Sequence, residues 1–163
     1  MEVVGRVVEY LKQHRLRLST AESCTAGTII ALLSDVEGSG ACLAAGYVVY
    51  SPQAKQQVLG VTDECLQRHN LTSEEVARCM ALGALQRSRS SVAVATTGVA
   101  GPEPMDGIAP GTVCFAWAYE RRGEPRLFSA TEHFPGGRSE VRQAAALHAL
   151  AQLPHYHARL EQD

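Results

Sequence analysis

The chain has 163 residues, of which 45% are hydrophobic and 20% charged, a composition that predicts a single globular domain over 1–163 with one core. Its 17 acidic and 15 basic residues are mixed along the sequence and sum to −2, so there is no basic stripe to hold a polyanion and neither DNA nor RNA is an expected partner. No run approaches the roughly 18 apolar residues of a membrane span, and the opening MEVVGRVVEYLKQH intersperses charges among its valines, which predicts neither secretion nor insertion but a cytoplasmic protein.

Val3, Val4, Val7, Val8 and Leu11 recur at helical spacing and predict an opening helix that ends near His14. LRLST (16–20) then reads as a strand, and a helix is expected to start between Cys24 and Ala26 and to stop before the EGSG at 37–40. AAGYVVYS (44–51) has strand composition, and Pro52 suits the first turn of a helix carrying Lys55. LTSEEVARCMALGALQRS (71–88) reads as a long helix capped at Thr72 or Ser73. SVAVATTG (91–98) predicts a buried strand, and VAGPEPMDGIAPG (99–111) is a Gly- and Pro-rich loop. TVCFAWAYE and PRLFSATEHF, joined by RRGE, alternate as a hairpin, after which FPGGRSEVRQAAALHALAQL resumes helical spacing. The alternation predicts an α/β fold, a three-layer αβα sandwich on a mixed, mainly parallel sheet. In such sheets ligands gather where loops leave the carboxyl ends of strands.

Three of those junctions carry chemistry. TAESCTAGTIIALL (20–33) sets hydroxyls, a thiol and Gly27 directly before a helix; this is either ordinary capping by Ser23 or Thr25, or a site where N–H groups near Ala26 and Gly27 face an anion or a developing oxyanion. Ser23 as a nucleophile needs a base. None of His14, His69, His133, His148, His155 and His157 is well placed; the last two fall in a polar tail without metal-binding partners nearby. Lys55 in YSPQAK follows a strand by a few residues and could serve if burial lowers its pKa, and Cys24 is a rival nucleophile if the helix start acidifies its thiol. TTGVAGP offers Thr97, Gly98 and loop N–H groups, or is a plain turn. Arg138 and Arg142 in PGGRSEVR suit a phosphate at a helix start, or are surface residues. The five cysteines, Cys24, Cys42, Cys65, Cys79 and Cys114, form no CxxC pair, so reduced thiols and no bound metal are expected.

Taken together, TAESCTAG, GYVVYSPQAKQQVLGV, VATTGVAGP and FPGGRSEVR, in this order over nearly the whole chain, resemble the CinA C-terminal domain family. The resemblance implies a three-layer α/β fold and, as in the family's stand-alone deamidases, hydrolysis of the carboxamide of nicotinamide mononucleotide without cofactor or metal. By the same resemblance Ser23 is the nucleophile, Lys55 the general base and Tyr50 a helper in proton transfer or positioning. Thr25, Ala26, Gly27, Thr97, Gly98 and Arg138 fall at substrate-binding positions, with Arg138 on the phosphate. The implied partner is a small nucleotide substrate, and a homo-oligomer is compatible with it. The chain departs from the family at Ala26, where a second glycine is usual, at Pro52, where Asn is typical, and in PEPMDG. The alternative is a catalytically silent nucleotide-binding or regulatory domain.

Overall fold

The computed structural model describes residues 2–162; Met1 and Asp163, the ends of the expected domain, lie outside the described residues. Strands β1 (Leu18–Glu22), β2 (Leu43–Val48), β3 (Val92–Gly98), β4 (Thr112–Arg121) and β5 (Glu124–His133) form one sheet in the order β2-β1-β3-β4-β5. Strand β1 pairs in parallel with β2 and β3, while β4 pairs antiparallel with β3 and β5, so β4 alone runs against the others. Among the described residues there are six α-helices, α1 (Glu2–Gln13), α2 (Thr28–Ser34), α3 (Pro52–Leu59), α4 (Asp63–Arg68), α5 (Glu74–Ser88) and α6 (Arg138–Leu160), and one short 3-10 turn at Ser39–Ala41. They cover both faces of this mixed sheet, and the fold is α/β.

Strand alternation gives the two faces unlike surfaces. Val92 and Val94 of β3 and Val113, Phe115, Trp117 and Tyr119 of β4 point to one side and pack with α1, α2 and α6. Their neighbours Ala93, Ala95, Cys114, Ala116 and Ala118 point to the other, against α3, α4 and α5. Small side chains let the helices on that side approach closely. An ideal Cβ at Gly83 of α5 would lie 2.1 Å from the carbonyl oxygen of Leu59, the last residue of α3, so only glycine fits there.

Caps set the helix ends that matter for the site. The Ser51 hydroxyl accepts a hydrogen bond from the Ala54 N–H at 3.0 Å, with Pro52 at the first helical position of α3. Ser73, rather than Thr72, caps α5 by accepting from the Val76 N–H at 3.2 Å. Three boundaries differ from expectation. Strand β1 is shifted to end at Glu22, and α2 begins only at Thr28 because 24–27 form a turn. The tail holding His155 and His157 belongs to α6, which continues through Pro154 because Leu153 and Leu160 are buried and Tyr156 stacks on Phe128 at 4.9 Å. No helix among the described residues is long and apolar enough to cross a membrane.

Candidate active site

At the carboxyl ends of neighbouring strands the chain turns to opposite faces: β1 leads to α2 on the bulky side, β2 to α3 on the alanine side. This divergence opens a crevice, the usual place for a ligand in an open α/β sheet.

The first wall of the crevice is organised by Glu22, fully buried at the end of β1. Its Oε1 accepts from the Thr25 hydroxyl at 2.7 Å, the Gly27 N–H at 3.1 Å and the Ile29 N–H at 2.9 Å, and its Oε2 from the Ile30 N–H at 3.1 Å. A carboxylate of the chain itself therefore occupies the anion position at the start of α2. This corrects three expectations. The Gly27 N–H is spent on Glu22, and the Ala26 N–H donates to the Ser23 carbonyl at 3.1 Å, so neither is directed at a ligand. The Thr25 side chain is buried between Glu22 and the Thr96 hydroxyl, 2.8 Å away; Thr25, Ala26 and Gly27 shape the turn and do not line the cavity. The N–H groups of Cys24 and Thr25 make no hydrogen bond to another described residue. Ala26 sits at φ 56° and Gly27 at φ 92°, a left-handed pair that explains why a glycine would suit position 26.

Ser23 and Lys55 meet at the bottom of the crevice. Lys55 is 1% exposed, and its Nζ lies 3.1 Å from Ser23 Oγ and 2.8 Å from each of the Val49 and Tyr50 carbonyl oxygens. Burial of the ammonium lowers its pKa from 10.5 to about 8, although the charge of a Cys24 thiolate would pull it back up. Cys24 itself is 6% exposed, and desolvation pushes its thiol up to about 12, so it is a neutral thiol near pH 7. The helix start cannot acidify it, since α2 begins beyond it and Glu22 already takes up the donors there. Tyr50 reaches Lys55 through its carbonyl, and its side chain stands half exposed at the cavity mouth.

The cavity has a volume of about 410 Å³ and is lined by Ser23, Cys24, Tyr50, Lys55, Thr97, Gly98 and Arg138 together with the loop from Val99 to Met105, a size suited to a small molecule. The Thr97 hydroxyl donates to the Leu71 carbonyl at 2.8 Å, leaving its oxygen able to accept. At Gly98 an ideal Cβ would meet the Thr112 carbonyl oxygen at 2.7 Å, so β3 needs glycine to pair there. Arg138, at the first turn of α6, donates from Nη1 to the Gly101 carbonyl at 2.6 Å, ties the loop to the helix and lines the cavity. Arg142, the second arginine of that motif, does not line the cavity, nor do the six histidines.

Sequence reasoning missed Glu22. Its signal was an acid at a strand end a few residues ahead of a helix start. Leu71, Glu103 and Met105, which also line the cavity, had no motif to mark them.

A buried hydroxyl–amine pair in the crevice of a helix-covered mixed sheet defines an α/β protein with the layout of a small-molecule enzyme. The CinA C-terminal domain family model matches residues 1–157, and the chain belongs to that family. It is 40% identical over 154 residues to nicotinamide-nucleotide amidohydrolase PncC of Escherichia coli (strain K12), a match covering 94% of this chain and 92% of that protein. It is 42% identical over 149 residues to a CinA-like protein of Chlorobium luteolum, covering 90% of this chain but only 35% of that longer protein. The crystal structure of competence damage-inducible protein A from Klebsiella pneumoniae superimposes with a TM-score of 0.89 at 36% identity, covering 96% of each chain.

Proposed function

We propose that this chain is a nicotinamide-nucleotide amidohydrolase, which hydrolyses the carboxamide of nicotinamide mononucleotide to nicotinate mononucleotide and ammonia through an acyl-enzyme on Ser23. The observation that carries the reading is the 3.1 Å approach of Lys55 Nζ to Ser23 Oγ inside the cavity. The similarity to PncC over nearly the full length of both chains supports the substrate.

Neutral Lys55 has two N–H bonds and one lone pair. With the N–H bonds held by the Val49 and Tyr50 carbonyls, the lone pair is aimed at the Ser23 hydroxyl. A pKa of about 8 leaves roughly a tenth of the amine neutral at pH 7, a cost of about 1.4 kcal/mol, whereas an unshifted lysine would cost about 4–5 kcal/mol. Lys55 takes the Ser23 proton as Oγ attacks the carboxamide carbon, and the N–H of Cys24, the residue beside Ser23 in the cavity lining, stabilises the oxyanion. The ammonium then protonates the departing nitrogen, which leaves as ammonia. Water attacks the ester, Lys55 takes its proton, and that proton returns to Ser23 as the acid is released. Arg138 holds the phosphate at the rim with the N–H groups not given to Gly101.

Purified protein should release ammonia from nicotinamide mononucleotide. The release should vanish in Ser23→Ala and Lys55→Met and survive in Cys24→Ala. Tight nucleotide binding without turnover in the wild type would replace this reading with that of a silent binding domain. Activity that depends on Cys24 and not on Ser23 would make it a thiol hydrolase.

A further inference from the structure

Helices α1 and α6 lie side by side and end together. Val3, Val7 and Tyr10 of α1 line one hollow with Ala151 and Pro154 of α6, and further along the Tyr10 hydroxyl lies 2.7 Å from His157 Nδ1. The sequence left the histidines near the C-terminus without partners; the fold supplies them from the other end of the chain. A ring nitrogen of His14, a ring nitrogen of His157 and a carboxylate oxygen of Glu161 all lie within 4.8 Å of one another. Tyr10 orients both rings. Its carbonyl can only accept, so the 3.0 Å contact with His14 Nδ1 places the proton there and leaves Nε2 with its lone pair. Its hydroxyl can accept from His157 Nδ1 in the same way. The rings of Tyr10 and His14 also stack at 3.9 Å.

We propose that His14, His157 and Glu161 form a binding site for a divalent transition-metal ion of the zinc class, remote from the Ser23 cavity, that clasps the end of α1 to the end of α6. Two imidazoles and one carboxylate are a donor set for zinc, with water as the fourth ligand. His157 and Glu161 are four residues apart at the end of α6, a spacing that brings two side chains to one helix face. Tetrahedral ligation at zinc distances requires donor separations of about 3.3 Å. His14 and Glu161 are exposed, so side-chain torsion alone can close the gap. The negative ends of both helix dipoles lie at the cluster and favour a cation. Hydrogen bonding of each His Nδ1 to Tyr10 is the orienting contact that metal-bound histidines ordinarily have. Arg121 is the cation that faces His157 and opposes the ion; the Glu161 carboxylate offsets it.

The test is calorimetric titration of Zn²⁺ into chelator-treated protein. One ion per chain should bind saturably, with affinity falling at least tenfold in both His14→Ala and Glu161→Gln, and zinc should raise the melting temperature of the wild type but not of these variants. Both variants should keep wild-type ammonia release from nicotinamide mononucleotide, so the result is independent of the proposed function. Absence of saturable binding would overturn the proposal, as would equal affinity in the His14→Ala/Glu161→Gln double variant.

Discussion

Glu22, at the end of β1, and Lys55, one turn into the helix that follows the adjacent strand β2, are both buried ionisable side chains, yet the protein treats them differently. Every partner of the Glu22 carboxylate is a donor from its own turn and helix start. Lys55 has only two carbonyl partners, and its third direction meets a hydroxyl that lines a cavity. A buried charge whose partners are all donors of its own turn and helix start is an architectural group; one with a direction left over toward a pocket is available for chemistry. The pair also explains how an apparent anion site lost its ligand: the strand delivers its own carboxylate to the place where a phosphate would otherwise sit.

Substitutions at the two positions should separate these roles. Lys55→Met preserves the length of the side chain and removes a desolvated charge, so ammonia release should fall by about 10³-fold or more while urea unfolding shows stability unchanged or raised. Glu22→Ala should do the reverse in kind. It strands several buried donors and should cost about 3 kcal/mol or more in urea unfolding, and Lys55→Met showing the greater loss of stability would erase the distinction.

Titration sharpens the comparison further. With neutral Lys55 as the proposed base, kcat/KM for the nicotinamide nucleotide should rise about tenfold from pH 7 to a plateau above its pKa of about 8. The sign for stability follows from the same shift. Below about 8 both folded and unfolded chains carry the proton and the cost of burying the ammonium is complete; between about 8 and 10.5 the unfolded chain binds more protons, so this lysine's contribution to stability rises with pH. Lys55→Met should lose that rise in the difference between the two unfolding profiles. The smallest effect is expected at Ala26→Gly, which relieves the left-handed strain at φ 56° and should stabilise by about 0.5–1 kcal/mol, or roughly 2–3 °C in Tm.

Elements with a strong period could be read directly from the residues. The alternation of TVCFAWAYE identified β4 and its two faces, and Pro52 placed the start of α3 so that Lys55 fell one turn in. Helix α4 could not be read, because six residues with the single buried Cys65 carry no periodic signal. The start of α2 lies later than its residues suggest for a different reason: a strand-end glutamate reaches forward to cap it, and this use of a charged side chain has no local signature. Similarly, Ser23 and Lys55 could be nominated separately, but only packing brings their atoms to 3.1 Å. His14 and His157, separated by nearly the whole chain, are brought together only by the joint ending of α1 and α6.

Gly83 does not line the cavity, yet it bears on how Lys55, the proposed base, is seated. With the Leu59 carbonyl oxygen 2.1 Å from where a Cβ would be, even alanine at 83 would push the end of α3 outward, and Lys55 rides on that helix. Drift at the alanine-lined face of the sheet would therefore reach the Ser23–Lys55 spacing before it reached the folded state. A lineage could become catalytically silent through a single methyl group while retaining every residue of the site.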